Sequence, residues 1–202
     1  MDAARLLIAG LAMASLTAAA QQPGAADITR IMPGRYGVDP QRSQVAFTIN
    51  QLGIAAYRGT FVKVSGSLVI DPRQPARTRV VIDIPIRNLT TTLKQVDAQL
   101  RGPDFFDAAR FPVAHFESAS VTPMGRKARI AGRLTLKGIT KAVILDANLV
   151  GAGVIAGKRA VSFEATTTIR RSSFGVSAAL PLIPDMIPLD IIVVFEKPQG
   201  KR

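Results

Sequence analysis

A chain of 202 residues, 48% of them hydrophobic, is long enough to bury a full core without covalent staples and is not disordered by composition. It has no cysteine, which excludes disulfides, thiol catalysis, thiolate metal sites and an acylated lipoprotein cysteine. Nine Phe, two Tyr and no Trp are too few for an aromatic platform, while a formal net charge of +12 implies attraction to anionic surfaces such as lipid headgroups, cell-wall polymers or nucleic acid.

Residues 1–20 read as a signal peptide. Arg5 and the amino terminus precede the apolar run from Leu6 to Met13, and Ala18, Ala19 and Ala20 offer a small-residue cleavage site. The run is shorter than the ~20 residues a spanning helix needs. Export places the protein in the periplasm or outside the cell. It sets nucleic acid aside and leaves a membrane or envelope surface as the partner of the positive charge. Residues 21–35, with Gln21, Gln22, Pro23, Gly24, Pro33 and Gly34, read as a flexible lead-in. The domain is expected over residues 36–198.

Period-two alternation then dominates, the mark of half-buried strands. Val45, Phe47 and Ile49 form one face. Val62, Val64, Leu68 and Ile70 form the next, followed by Val80, Ile82, Ile84 and Ile86. From Ala128 to Lys137 the even positions are apolar and Arg129, Arg133 and Lys137 face away. Val143 to Leu149, Val161 to Ile169 and Leu189 to Phe195 continue the pattern. Turns are expected at Asp71-Pro72, at 122–125, at Lys137-Gly138 and across Gly151-Ala152-Gly153. The sum is an all-β fold of about eight strands, a sandwich or an up-and-down barrel.

One stretch breaks the period. Leu93, Val96 and Leu100 make a helical stripe, with Thr91 or Thr92 as cap. Gly102-Pro103 then opens a second short helix over Asp104 to Ala109. A helical insertion of this kind covers one end of a barrel.

Few residues of the sequence point to chemistry. His115 is the only histidine; it faces outward if Phe116 faces inward, and no positioned partner is evident in the sequence. Asp104 and Asp107 are better explained by helix capping than by a metal. No serine sits in a nucleophile elbow. No metal or cofactor is expected beyond a bound lipid, and the protein is read as a binding protein, not an enzyme. Arg171 shares the alternation of Phe163 and Ile169, so it should be buried and paired, with Asp97, Asp185 or a ligand phosphate as partner. Arg170 should point outward.

Five blocks, in order, resemble the YceI-like proteins, periplasmic proteins associated with polyisoprenoid binding. They are Tyr36-Gly37-Val38-Asp39-Pro40 with Ser43, Val45 and Phe47; Gln51-Leu52-Gly53 with Gly59-Thr60-Phe61 and Gly66; and Asp104-Phe105-Phe106-Asp107 with Phe111-Pro112 and Phe116-Glu117-Ser118. The last two are Gly132 to Lys141 and Arg171-Ser172-Ser173-Phe174-Gly175. The resemblance implies a lipocalin-like antiparallel barrel with a helical element over it. It also implies a long apolar tunnel for an isoprenoid chain, with the polar head near the mouth. The expected ligand-contacting residues are Phe47, Ile49, Leu52, Phe61, Phe105, Phe106, Phe116, Phe163, Ile169, Arg171 and Phe174.

The chain departs from the family pattern where members often carry His, at Asn50 or Gln51. It also departs at Val96-Asp97, where Arg-Asp is frequent, and at Ser173, where an acid is common. Those departures extend the expected ligands to a quinone or a fatty acyl chain. The leading expectation is a periplasmic carrier or sequestering protein for such an amphiphile, with a homodimer as a further expectation. The alternative is a basic envelope interaction or stress protein whose barrel is filled and holds no lipid.

Overall fold

The structure is a computed structural model that describes residues 26–51 and 55–198. Its strands are β1 (Gly34–Val38), β2 (Gln44–Gln51), β3 (Ala55–Val62), β4 (Ser65–Ile70), β5 (Arg79–Pro85) and β6 (Leu89–Thr91). After the helix α1 (Lys94–Arg101) come β7 (Val113–Met124), β8 (Lys127–Leu136), β9 (Ile139–Ile155), β10 (Lys158–Arg170) and β11 (Met186–Glu196).

These strands build an eight-stranded meander, because six of them are halves of three interrupted strands. β1 and β2 lie end to end along β11, with Gly37 opposite Glu196 and Phe47 opposite Leu189. β3 and β4 lie end to end beside them, kinked at Lys63, whose φ is 57°. β5 and β6 flank β4 and β3 in the same way. Every neighbour pair is antiparallel, and the β1–β11 ladder closes the barrel. Closure leaves no free pair of sheet edges along that ladder, so a chain without disulfides is held by backbone pairing all the way round.

Local chemistry sets the hairpins. Lys137 and Gly138 (φ 49° and 75°) form one two-residue loop, and Ala156 and Gly157 (φ 47° and 78°) another. Positive φ at both positions matches the right-handed twist of the strands they join. The second hairpin corrects an expectation. Gly151-Ala152-Gly153 is not a turn but lies inside the 17-residue β9, beside an irregularity opposite Ser162 and Phe163. Gly residues there relieve the strand at a bulge.

The helical insertion is shorter than expected. α1 forms, and Leu100 on it is buried, but Leu93 is exposed and serves as the N-cap position. Thr91 still organises the start: its amide and hydroxyl donate to Asp97 Oδ1 at 2.6 and 2.7 Å. No second helix follows. Residues 103–110 form turns, and Asp107 takes φ 49°, which no helix continues through. Phe105 is carried inward by these turns.

Residues 26–33 carry structure that their composition did not announce. A 3₁₀ turn, Ile28–Arg30, is capped by Asp27, and Ile31 is buried in the core. Elsewhere the core follows the alternation. Tyr36, Val64, Ile86, Leu89 and Val161 are its most completely enclosed large side chains.

Candidate functional site

The inward faces of the strands do not meet at the barrel axis. They enclose a cavity of about 250 Å³, walled almost wholly by hydrocarbon. β10 contributes Phe163, Ala165, Thr167 and Ile169; β9 contributes Val143, Leu145, Ala147 and Leu149. From Phe163 to Arg171 the wall runs about 26 Å along the strand, or roughly 20 Å along a barrel axis tilted at ~40° to it. A volume near the lower end of ligand sites, spread over that length, makes a narrow bore.

The two ends differ. At one end the lining includes exposed residues: Ile28, Pro123, Gly125, Arg126 and Lys127. This is the mouth, between the β7–β8 hairpin, the β4–β5 loop and the 3₁₀ turn. At the other end the lining is buried: Leu100, Phe105, Arg171, Val176 and Ile187. Here the rings of Phe47, Phe61 and Phe106 form a chain, with centroids 5.8 and 5.6 Å apart.

Among the described residues Arg171 is the one charged side chain that lines the cavity at the closed end, and its partners correct the sequence expectation. No carboxylate among the described residues meets its guanidinium. Nε donates to Pro184 O at 2.9 Å, Nη1 to Val176 O and Ala178 O at 2.8 and 2.9 Å, and Nη2 to Ile183 O at 2.8 Å. Four of its five N–H groups thus pin main-chain carbonyls of residues 176–184 and fold that segment into a floor. Burial pushes the Arg171 pKa below the ordinary arginine value, with Asp185 partly offsetting it. Asp185 itself serves Ser172, accepting from its amide and hydroxyl at 2.9 and 2.8 Å, and pairs with the outward Arg170 at 3.1 Å. Asp97 is engaged by Thr91 instead.

Of the other residues expected to meet a ligand, Phe47, Ile49, Phe61 and Phe105 line the cavity, as do Phe106, Phe116, Phe163 and Ile169. Phe174 is buried in the core but does not line it. Leu52 lies outside the described residues. Sequence reasoning missed Ile28 and Ile31, whose three-residue spacing in a polar segment was the only signal available.

His115 has a partner after all. Its Nδ1 lies 2.7 Å from Asp83 Oδ1 across the β5–β7 ladder, with both side chains about two-fifths exposed (43% and 42%). The pair stands on the barrel's outer face, while Phe116 beside it points into the cavity. Among the described residues, no three His, Asp or Glu side chains gather into a metal-binding group.

An apolar bore with one open end attracts hydrocarbon and offers no directional recognition along its wall. Among the described residues the lining holds two hydroxyls, Thr167 on β10 and Thr78 at the end of the β4–β5 loop. The fold and the site therefore define a closed, lipocalin-like antiparallel barrel with an apolar bore open at one end.

The comparisons agree with that class. The chain matches the YceI-like domain model over residues 36–195 and belongs to the YceI-like family. It is 36% identical over 196 residues to Protein YceI of Escherichia coli O157:H7, covering 95% of this chain and 97% of that one. Its fold is similar to BcnA of Burkholderia cenocepacia, with TM-score 0.71, 26% identity, and 78% and 98% of the two chains covered. It is also similar in fold to a polyisoprenoid binding domain from Saccharophagus degradans, with TM-score 0.61, 15% identity, and 81% and 98% coverage.

Proposed function

We propose that this protein is an exported, periplasmic carrier or sequestering protein that holds the hydrocarbon chain of a polyisoprenoid, or of a similar amphiphile such as a quinone, inside its barrel. In this reading residues 1–20 are removed on export. The observation that carries it is the unfilled bore, apolar along its wall and open at one end. Closely packed interiors leave few voids larger than a water molecule, so a cavity of about 250 Å³ is not ordinary core. An apolar cavity of this kind gains dispersion contacts when hydrocarbon enters, and its wall gives up almost no hydrogen-bonding groups. The Saccharophagus degradans domain, similar in fold, is described as polyisoprenoid binding. The bore weighs against a filled barrel that acts only through surface charge.

Native mass spectrometry of protein purified from cells without detergent, followed by denaturing extraction, tests this. A stoichiometric adduct of lipid mass is the expected result. A clean apo mass together with no uptake of an apolar fluorescent probe would overturn it.

A further inference from the structure

The rim of the bore is built unlike an ordinary water-facing loop cluster. Five apolar side chains stand exposed in the segments that surround it: Ile28 at 40%, Met32 at 43%, Met124 at 55%, Val154 at 60% and Ile155 at 39%. Specific contacts bring these segments together. The Leu149 amide donates to Arg126 O at 2.8 Å, setting the β7–β8 hairpin against β9. The Lys197 amide donates to Arg159 O at 2.8 Å and its ammonium to Pro33 O at 3.1 Å, tying the start of β10 to the chain beside Met32. Gly34 pairs with Ile70, which places the β4–β5 loop next in the ring.

The same ring is strongly basic. Residues 26–35, 71–79, 123–127, 154–159 and 196–197 hold ten Lys and Arg against three carboxylates. Two of those carboxylates already face cations of the rim, Asp27 with Arg30 at 3.8 Å and Glu196 with Lys158 at 2.9 Å. Arg73, Arg77, Arg126, Lys127 and Arg159 are exposed and make no ion pair among the described residues. The closed end also exposes apolar side chains, Leu182 and Met186 among them, but the bore does not open there, and Arg110 and Arg170 are paired with Asp107 and Asp185.

Exposed apolar tips among unpaired cations match the two layers of a lipid interface. The tips enter the acyl boundary while the cations meet headgroup phosphates. We infer that the mouth rim docks on an anionic lipid bilayer, with the bore opening onto the acyl layer so that hydrocarbon passes between them without crossing water. This rests on the carrier reading. It adds where loading and delivery occur and which residues make the contact.

The test is co-sedimentation of the protein, as purified from cells, with phosphatidylcholine vesicles containing or lacking phosphatidylglycerol. Binding should require phosphatidylglycerol and weaken with salt. The pair Arg73→Glu and Arg77→Glu, exposed on the β4–β5 loop and outside the lining of the bore, should lower the affinity about tenfold or more, and Met124→Ser with Val154→Ser should lower it as well. Leu182→Ser, at the closed end, should leave it unchanged. Equal binding by the charge-reversed variant, or equal loss in Leu182→Ser, would overturn the inference. Uptake of a soluble apolar probe is measured on the same proteins. Rim variants that keep the probe but lose the vesicles support docking. A parent that binds vesicles and takes up no probe overturns the carrier reading and with it the transfer step, leaving a surface attachment alone.

Discussion

The ring of Phe47 lies across the backbone of Gly59, so closely that a β-carbon at position 59 would stand 2.2 Å from the ring's tip. The two residues are directly opposed in the β2–β3 ladder, and the missing side chain is what lets the ring lie over position 59, tilted 44° to the ring of Phe61. Gly59→Ala must push a buried ring aside. The expected cost is about 1–3 kcal/mol, read from urea unfolding midpoints. The ring lines the bore, and displacing it into that space should lower probe uptake too. Unchanged stability and uptake would show that the ring is free to move elsewhere.

Ala147 and Ala165 face each other across β9 and β10 and both line the bore. Two methyl groups where leucines would fit keep the middle of the bore open. Ala165→Leu should fill that space with hydrocarbon. Uptake of an apolar probe should drop about tenfold or more while stability is kept or rises by about 1 kcal/mol, since the added side chain occupies volume already empty. A fluorescence titration paired with an unfolding curve reads both at once.

Arg171 holds four carbonyls that no other side chain among the described residues reaches. Arg171→Met abandons all of them, and Arg171→Lys offers three rotating donors in place of a planar fork. Both variants should lose about 3 kcal/mol or more, because one buried and three part-buried acceptors are left without their donors. The break should be local at first, so residues 176–184 should become the earliest site of cleavage in limited proteolysis. If Arg171→Lys keeps full stability, the fork geometry is not what matters there.

Asp185 has its pKa held below the ordinary carboxylate value, first by the Ser172 amide, then by the Ser172 hydroxyl and Arg170. A carboxyl whose folded pKa is depressed contributes stability above its unfolded pKa of about 3.9. That contribution is lost as pH falls through the folded pKa. Asp185→Asn should therefore be less stable than the parent at neutral pH, and the difference should shrink as the medium is acidified below about pH 4. A gap that stays constant from neutral to strongly acidic pH would mean that the charge of Asp185 is not the source.

Much of the barrel was legible because strand alternation repeats over many residues and each run is checked by the next. The faces from Val80 to Ile86, Ala128 to Lys137 and Val161 to Ile169 read correctly for this reason. The errors fell where one or two residues decide the backbone. Gly151 and Gly153 carry the composition of a turn, yet pairing with β10 on one side holds them extended. The Asp104 to Ala109 segment has helix-compatible residues, yet Asp107 takes a left-handed conformation and carries Phe105 into the core. β3 and β6 were hidden because each is half of an interrupted strand, too short or too rich in small residues to show a period.

The sequence alone determined the class of fold and its sidedness, since period-two hydrophobicity is a local property that survives without knowledge of partners. It also placed Arg171 on the inner face. Only the tertiary structure decided that the inner faces stop short of one another and leave a bore. That outcome depends on the shear and diameter of the closed sheet and on where small residues such as Ala147 and Ala165 happen to face each other. The tertiary structure likewise decided that Arg171 closes the floor through carbonyls, and that Ile28, Met124 and Val154, far apart in the chain, surround one opening. Distances between residues remote in sequence are set by how the whole sheet closes, and no local pattern encodes them.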